Sequence, residues 1–339
     1  MYLDLKDRKI LYELDLNSRQ PNVAIGKKVF LSKDSVSYRI NKLIENKIIT
    51  GLITRINATK LGYSFYNVFL KYQNIDLVVE NELVKFILTH NQIGWVVNVL
   101  GNWDLVFVYW AESEEDFFNF WHTFISKFGT YIYDKEISTF YQEIACPKLF
   151  LLNKNICNEK EFVVLNKSND KLRLDKKDLS ILSLLAVNSR ITTVEIAKKI
   201  KLTPKSVIYR INNLEKKEII LGYSISIDYK KLNYDYYKLE INFKNYSSEL
   251  YEKFINFCKY NQNIIYIDKS IGGNDIKLNI YIENKLKYKE LLNIIKQKFS
   301  YIIKNMETVQ YFDELKHNLF PIKVDWLYIF GGFLRNDYF

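Results

Sequence analysis

The chain has 339 residues, 48% of them apolar and 26% charged, with a net charge of +10. That is room for two or more domains of ordinary size in a water-soluble globular composition. No apolar run reaches the roughly 18–20 residues of a membrane span, "MYLDLKDRKI" has no secretory signal pattern, and the three cysteines lack a CxxC spacing, which argues against a disulfide framework or a thiolate zinc site. The expectation is a reducing cytoplasm and no membrane partner.

The tetrapeptide YRIN stands at 38–41 and again at 209–212. The same shift of 171 lays "LDLKDRKILYEL" (3–14) on "LDKKDLSILSLL" (174–185) and "NSR" (17–19) on "NSR" (188–190). It also lays "KLGYSFY" (60–66) on "KLNYDYY" (231–237) and "GNWDL" (101–105) on "GGNDI" (272–276). One unit of about 150 residues is therefore present twice, too long a period for a solenoid. Residues 1–55 carry eleven Lys/Arg against six Asp/Glu, and 171–226 carry twelve against five. Residues 56–150 reverse the sign with six against eleven, and 227–325 hold sixteen against thirteen. A uniform coding bias does not change sign along a chain, so the basic front segments read as footprints for a polyanion. The expected divisions are 1–55, 56–146, a linker at 147–171, 172–226, 227–325 and an apolar tail at 326–339.

In each front segment an Asp-x-x-Asp pair, Asp4/Asp7 or Asp175/Asp178, opens the first helix by capping free amides and favouring the dipole. A second short helix follows. Ser32 and Thr203 cap a third, which Pro204 suits at its first turn. Val36, Ile40 and Leu43 form the inward stripe of that helix, as do Val207, Ile211 and Leu214. "KIITGLITRIN" and "EIILGYSISID" then predict a β-hairpin. The pattern is a winged helix-turn-helix, whose third helix enters the DNA major groove.

The outward face of the third helix is Asp34, Tyr38, Asn41 and Glu45 in the first copy, and Lys205, Tyr209, Asn212 and Lys216 in the second. Ser32, Lys33, Ser37, Lys42, Ser206 and Asn213 complete the candidate DNA-binding set. Asn41 and Asn212 carry the amide pair that reads adenine. Tyr38 and Tyr209 can touch phosphate or a thymine methyl, or simply face solvent. Arg39 and Arg210 lie on the flank, where a planar fork serves either an ion pair with Asp7 or Asp178 or a phosphate. The second face has lysines where the first has acids, so it is expected to supply more of the affinity.

Each back segment predicts β-α-β-β-α-β, the ferredoxin-like split arrangement. Strands are expected at 63–72, 94–100, 104–110 and 131–144, with helices near 78–90 and 113–127. The second copy repeats the strands near 235–245, 263–271, 275–282 and 301–313. The corner between the second and third strands is Gly101-Asn102-Trp103-Asp104 in one copy and Gly272-Gly273-Asn274-Asp275 in the other. Glycine there fits a tight turn and close backbone approach. The predicted fold class is α+β, with tandem winged helix-turn-helix and ferredoxin-like sandwich units.

Taken together, these motifs resemble the Lrp/AsnC (feast/famine) transcription regulators over about 310 residues. The resemblance implies double-stranded DNA as partner. It also implies self-association, here between the two fused units as a pseudo-dimer or between chains, and a small effector such as an amino acid at the corner residues 101–104 and 272–275. Two departures stand out: Lys47 and Glu218 replace the family's usual glycine after the third helix, and the corner has Trp103 in one copy and Asn274 in the other. A siroheme decarboxylase-like enzyme of the same architecture is the alternative. It would require basic side chains, including histidine, at "RINATKLGY" or "SIDYKKLNY", and none of His90, His122 and His317 falls there. With no metal triad, phosphate loop or nucleophile–base pair in view, the sequence predicts no enzyme, no catalytic residues, no cofactor and no metal.

Overall fold

The computed structural model describes residues 3–155, 157–244, 246–317 and 320. The first unit runs α1 (Leu5–Leu16), α2 (Asn22–Val29), α3 (Lys33–Glu45), β1 (Ile49–Ile56), β2 (Ser64–Tyr72), α4 (Leu77–Thr89), β3 (Ile93–Leu100), β4 (Leu105–Ala111), α5 (Glu114–Phe128) and β5 (Ile132–Ala145). A short strand, β6 (Val163–Asn166), lies in the connection. The second unit runs α6 (Lys176–Val187), α7 (Thr193–Ile200), α8 (Pro204–Lys216), β7 (Ile220–Ile227), β8 (Asp235–Phe243), α9 (Ser248–Lys259), β9 (Ile264–Ile271), β10 (Ile276–Ile282), α10 (Lys285–Phe299) and β11 (Ile303–His317). The tail at 326–339 lies outside the described residues. Among those described, no helix is long and apolar enough to cross a membrane.

The first helix of each unit starts where its cap dictates. Asp4 accepts from the Asp7 amide at 2.8 Å, and Asp7 accepts in return from the Asp4 amide at 3.3 Å, a reciprocal box that satisfies two free donors. Asp175 accepts from the Asp178 amide at 2.8 Å in the second copy. The stripe Val36, Ile40 and Leu43 is buried in the same core as Ile10, Leu11 and Leu14. Lys47 and Glu218, just past α3 and α8, both take φ of +54°. That left-handed geometry is where glycine is comfortable and a side chain is strained.

The expected hairpin wing does not form. Each front segment has a single strand, and β1 pairs antiparallel with β7 of the other copy. The stretch Ile48–Asn57 has no Asn-Gly or Asp-Gly pair to fold it back on itself, so its ladder is completed by its duplicate. Ile53 faces Ser224, residues 171 apart, which places a pseudo-two-fold axis between them. The hydroxyls of Ser18 and Ser189 lie 2.6 Å apart on the same axis. Around them Arg19 donates to the carbonyls of Ser189 and Ile191, and Arg190 donates to that of Ser18 at 3.0 Å. The duplicated Asn-Ser-Arg is the seam between the copies.

The back segments have the split topology, with sheet orders β5-β2-β4-β3 and β11-β8-β10-β9. Their outer strands then join, β3 to β11 and β9 to β5. Eight antiparallel strands close into a ring with β6 added on β5. Outward side chains of the first half pack under α4 and α5, with Val68, Leu70 and Phe107 against Phe120 and Phe124. Those of the second pack under α9 and α10, with Leu239, Ile241 and Leu278 against Phe254 and Ile295. The alternate residues point into the ring, as pleating requires.

Candidate functional site

On α3, Tyr38 is 67% exposed, and Lys33, Asp34, Asn41, Lys42 and Glu45 are also exposed. On α8, Tyr209 is 72% exposed, with Lys205, Asn212 and Lys216 beside it. The remaining candidates have local duties. Ser32 caps α3 by accepting from the Ser35 amide, Ser37 accepts from Asn22 Nδ2 at 2.6 Å, and Ser206 lies against Thr203. Asn213 is half-buried. Arg39 donates to Asp4 and Asp7 at 2.8 and 2.7 Å, and Arg210 repeats this with Asp175 and Asp178. Each fork ties the third helix to the start of the first. The Asp7 or Asp178 amide, and then the guanidinium, keep the cap carboxylate, Asp4 or Asp175, ionised to lower pH than usual against the pull of burial. A phosphate would have to compete with two carboxylates for either Arg.

Of the corner residues, Trp103 and Asn274 are buried, Asp104 is half-buried and the rest are exposed. A side-chain carbon added at Gly101 would sit 3.0 Å from the Thr308 carbonyl oxygen, and at Gly272 3.3 Å from that of Ile137, so each corner abuts the last strand of the other half. Gly273 takes φ of +67°. Asn102 donates to Glu307 at 2.7 Å. Trp103 is buried against Phe69 with its indole N–H unpartnered among the described residues. Asn274 is buried too, but it donates to Glu136 and Glu240 and accepts from Asn242. Asp104 accepts from Lys71 and the Tyr72 amide, and Asp275 accepts from the Phe243 amide.

The sequence reading missed the ring interior. Lys238, Glu240, Lys277 and Asn279 are buried there and Asp268 is half-buried. Their duplicates in the first half are Asn67, Phe69, Val106, Val108 and Val97, almost all apolar. Lys277 stands opposite Glu240, donates to Glu136 at 2.8 Å and Ser138 at 3.1 Å, and has its ammonium 4.1 Å from the centre of the Phe69 ring. Burial pulls its pKa down despite those acids, and burial pushes Glu240 up. A buried ionisable wall costs stability unless fully paired, and such clusters concentrate at functional sites. The signal was available: "YYKLEINF" places Lys and Glu on the face where the aligned "FYNVFLKY" has Asn and Phe.

This wall continues to the end of the ring near β1 and β7. Glu143 on β5 stands opposite Asp268 on β9. Burial and that second carboxylate push the Glu143 pKa up to about 7. The Arg55 guanidinium lies 5.5 Å over the Tyr266 ring and 3.5 Å from Ser224 Oγ. Ser224 donates to Asp15 at 2.7 Å, and Asp15 is also ion-paired with the buried Lys148. Burial opposes ionisation of Asp15, but Lys148 and Arg55 outweigh it and hold its pKa low. His317 stands opposite Trp95 and pairs with Glu314 at 2.8 Å, which raises its pKa against the pull of burial. The duplicates of Asp15 and Arg55 are Ala186 and Ser226, so this bridge between helices and ring exists on one side only.

A winged helix-turn-helix DNA-binding family matches residues 3–50 and 174–220. The chain is 40% identical over 72 residues to the HTH-type transcriptional regulator LrpA of Bacillus subtilis, covering 20% of this chain and 53% of LrpA. It thus spans about half the length of that relative. It is 38% identical over 130 residues to an uncharacterised HTH-type transcriptional regulator of Pyrococcus furiosus, covering 38% of this chain and 86% of that one. Among solved structures, the siroheme decarboxylase NirDL superposes with a TM-score of 0.62 at 11% identity, over 92% of this chain and 93% of that one. At that identity the likeness is one of fold. It nevertheless overturns the expectation that the chain is no enzyme, because an enzyme has this architecture along nearly its full length. The expectation rested on histidine positions in two short stretches of sequence and on finding no metal triad, phosphate loop or nucleophile–base pair in the linear sequence. Strand pairing brings His317 to the ring end with Glu314, where Arg55 and Glu143 also act on it electrostatically, a grouping no linear motif displays. The helix-turn-helix matches and the extent of the Pyrococcus alignment fix the lineage: the chain belongs to the Lrp/AsnC family of transcription regulators, with two units fused in one polypeptide.

Proposed function

We propose that this protein is a sequence-specific DNA-binding transcription regulator in which α3 and α8 read one duplex. The observation that carries the reading is the pair of exposed Tyr/Asn faces, Tyr38/Asn41 and Tyr209/Asn212, held about an internal pseudo-two-fold axis. A two-fold reader takes two half-sites. Because the copies differ at Asp34/Lys205 and Glu45/Lys216, the half-sites are unlike, and α8 with its lysines grips harder. Arg39 and Arg210 position these helices through their carboxylate pairs. Effector binding at the corner residues 101–104 modulates the reading.

Selecting bound duplexes from a random pool at low salt tests this. The expected outcome is an asymmetric pair of half-sites. A perfect inverted repeat contradicts the asymmetry, and no enrichment contradicts DNA reading altogether. A second reading, an enzyme acting on a carboxylate-rich tetrapyrrole, is favoured by one observation, the full-length fold shared with NirDL. A visible absorption change on adding a tetrapyrrole to the purified protein supports it, and an unchanged spectrum removes it.

A further inference from the structure

The pseudo-two-fold axis makes each copy a template for the other, and at the corner the template is incomplete on one side. In the second half Lys269 lies with its ammonium 5.1 Å over the Tyr251 ring. Tyr251 in turn stacks on Tyr246 at 5.4 Å and meets Phe243 edge-on at 5.8 Å. An internal cation thus sits on an aromatic cluster, the arrangement expected of a desolvated ammonium on ring faces. In the first half the same four positions are Asn98, Glu80, Ile75 and Tyr72. The lysine is absent, an acid replaces one ring, and a cavity of about 390 Å³ opens between Tyr72, Glu80, Asn98, Leu100, Asp104 and Phe312. The Tyr72 hydroxyl is buried without a hydrogen-bond partner among the described residues. Burial raises its pKa, and the Glu80 and Asp104 carboxylates raise it further, so negative charge converges on that oxygen. The nearest lysine on the same strand, Lys71, is already paired with Asp104 at 2.9 Å. Leu100 and Phe312, both more than half exposed, supply apolar walls at the rim.

We infer that this corner cavity binds a small organic ammonium with an apolar tail, at one site per chain, in the place that Lys269 fills by itself in the other half. The inference rests on the reading of the corner as an effector site and fixes the chemistry of the effector. The pocket offers the Glu80 carboxylate and the Tyr72 hydroxyl to an N–H donor, while the adjoining lysines are already paired, Lys71 with Asp104 and Lys230, over the Phe312 ring, with Asp313. A ligand bearing both charges therefore binds more weakly than one bearing the ammonium alone. Among the described residues, Lys269 fills the equivalent place in the second half.

The test is calorimetric titration of the full chain with n-butylammonium, valerate and leucine in parallel. The expected result is saturable butylammonium binding at one site per chain, weaker leucine binding and none for valerate. Glu80→Gln removes the charge partner and weakens butylammonium about tenfold. Asn98→Lys restores the internal cation of the second half and abolishes binding, with the melting temperature unchanged or raised to show that the fold persists. Two equal sites, or butylammonium affinity indifferent to both substitutions, overturns the inference. If leucine or valerate instead binds tighter than butylammonium and Asn98→Lys blocks it, the effector reading survives and the ammonium chemistry falls. If none of the three binds, both fall while DNA reading stands.

Discussion

The two halves of the ring have the same strands in the same order, yet the inward positions compared on β2, β3 and β4 are almost all apolar while their duplicates on β8, β9 and β10 are polar or charged. Phe69 and Glu240 occupy equivalent places, as do Val106 and Lys277, and Val97 and Asp268. Backbone pairing tolerated the exchange, and both inward lysines found a carboxylate partner: Lys277 with Glu136, and Lys238 with Asp268. Glu240 accepts from Asn274, and its other carboxylate oxygen has no partner among the described residues. Geometry was kept by the ladder, and chemistry was free to change inside it. The same division holds outside the ring. Both copies keep the Arg fork onto two aspartates, while the outward helix face changed from Asp34 and Glu45 to Lys205 and Lys216.

The largest difference between the halves is expected at the one-sided bridge. Lys148→Met leaves Asp15 buried and charged without its ion-pair partner and is expected to cost about 3–5 kcal/mol in chemical denaturation. Adding Asp15→Ala recovers most of that loss. A change confined to Ala186, the equivalent place in the other copy, stays within about 1 kcal/mol if made to Ser. Equal losses at 15 and 186 would mean that the bridge is not what distinguishes the halves.

Glu143 and its duplicate Glu314 give the next contrast. The folded Glu143 holds its proton up to about pH 7, against an ordinary value of 4.5. Between those values the folded state binds more protons than the unfolded one, so stability is greatest below the window and declines as pH rises through it. The decline is expected to be on the order of 2 kcal/mol. Glu143→Gln flattens it. Glu314, held low by His317, has the opposite sign, and Glu314→Gln leaves the decline in place. Denaturation midpoints at pH 5 and pH 7.5 decide the matter.

The smallest effect lies after the third helices. Lys47→Gly and Glu218→Gly relieve a left-handed residue and are each expected to stabilise by about 0.5–1 kcal/mol. Glu218 gains less, because its carboxylate is paired with Lys60 at 2.7 Å. A loss of stability at Lys47→Gly would show that the strain reading of φ is wrong.

Local rules made much of this legible. The Asp-x-x-Asp caps, the alternation of "YSFYNVFLKY" and the glycine corners located helices, strands and turns within a residue or two, because each is set by neighbours in the chain. What was not legible depends on pairing between copies. The single strands β1 and β7 looked like a hairpin because strand propensity does not say who the partner is. The alternation of "YYKLEINF" puts Lys238 and Glu240 on one face, but what Lys238 and Lys277 meet there was settled only when β9, β10 and β5 closed the ring. His317 looked isolated for the same reason, since its neighbours Trp95 and Glu143 are more than 170 residues away.

In the proposed function the two outward helix faces lie on one duplex, and the second supplies more of the attraction. The most direct measurement is the salt dependence of DNA affinity for the full chain, compared between Lys205→Ala/Lys216→Ala and Lys33→Ala/Lys42→Ala. With Arg39 and Arg210 left in their carboxylate pairs, the first variant is expected to lower the slope of log K against log salt by about 2 and the second by less. A larger loss from Lys33→Ala/Lys42→Ala, or a slope that neither variant changes, would contradict the account.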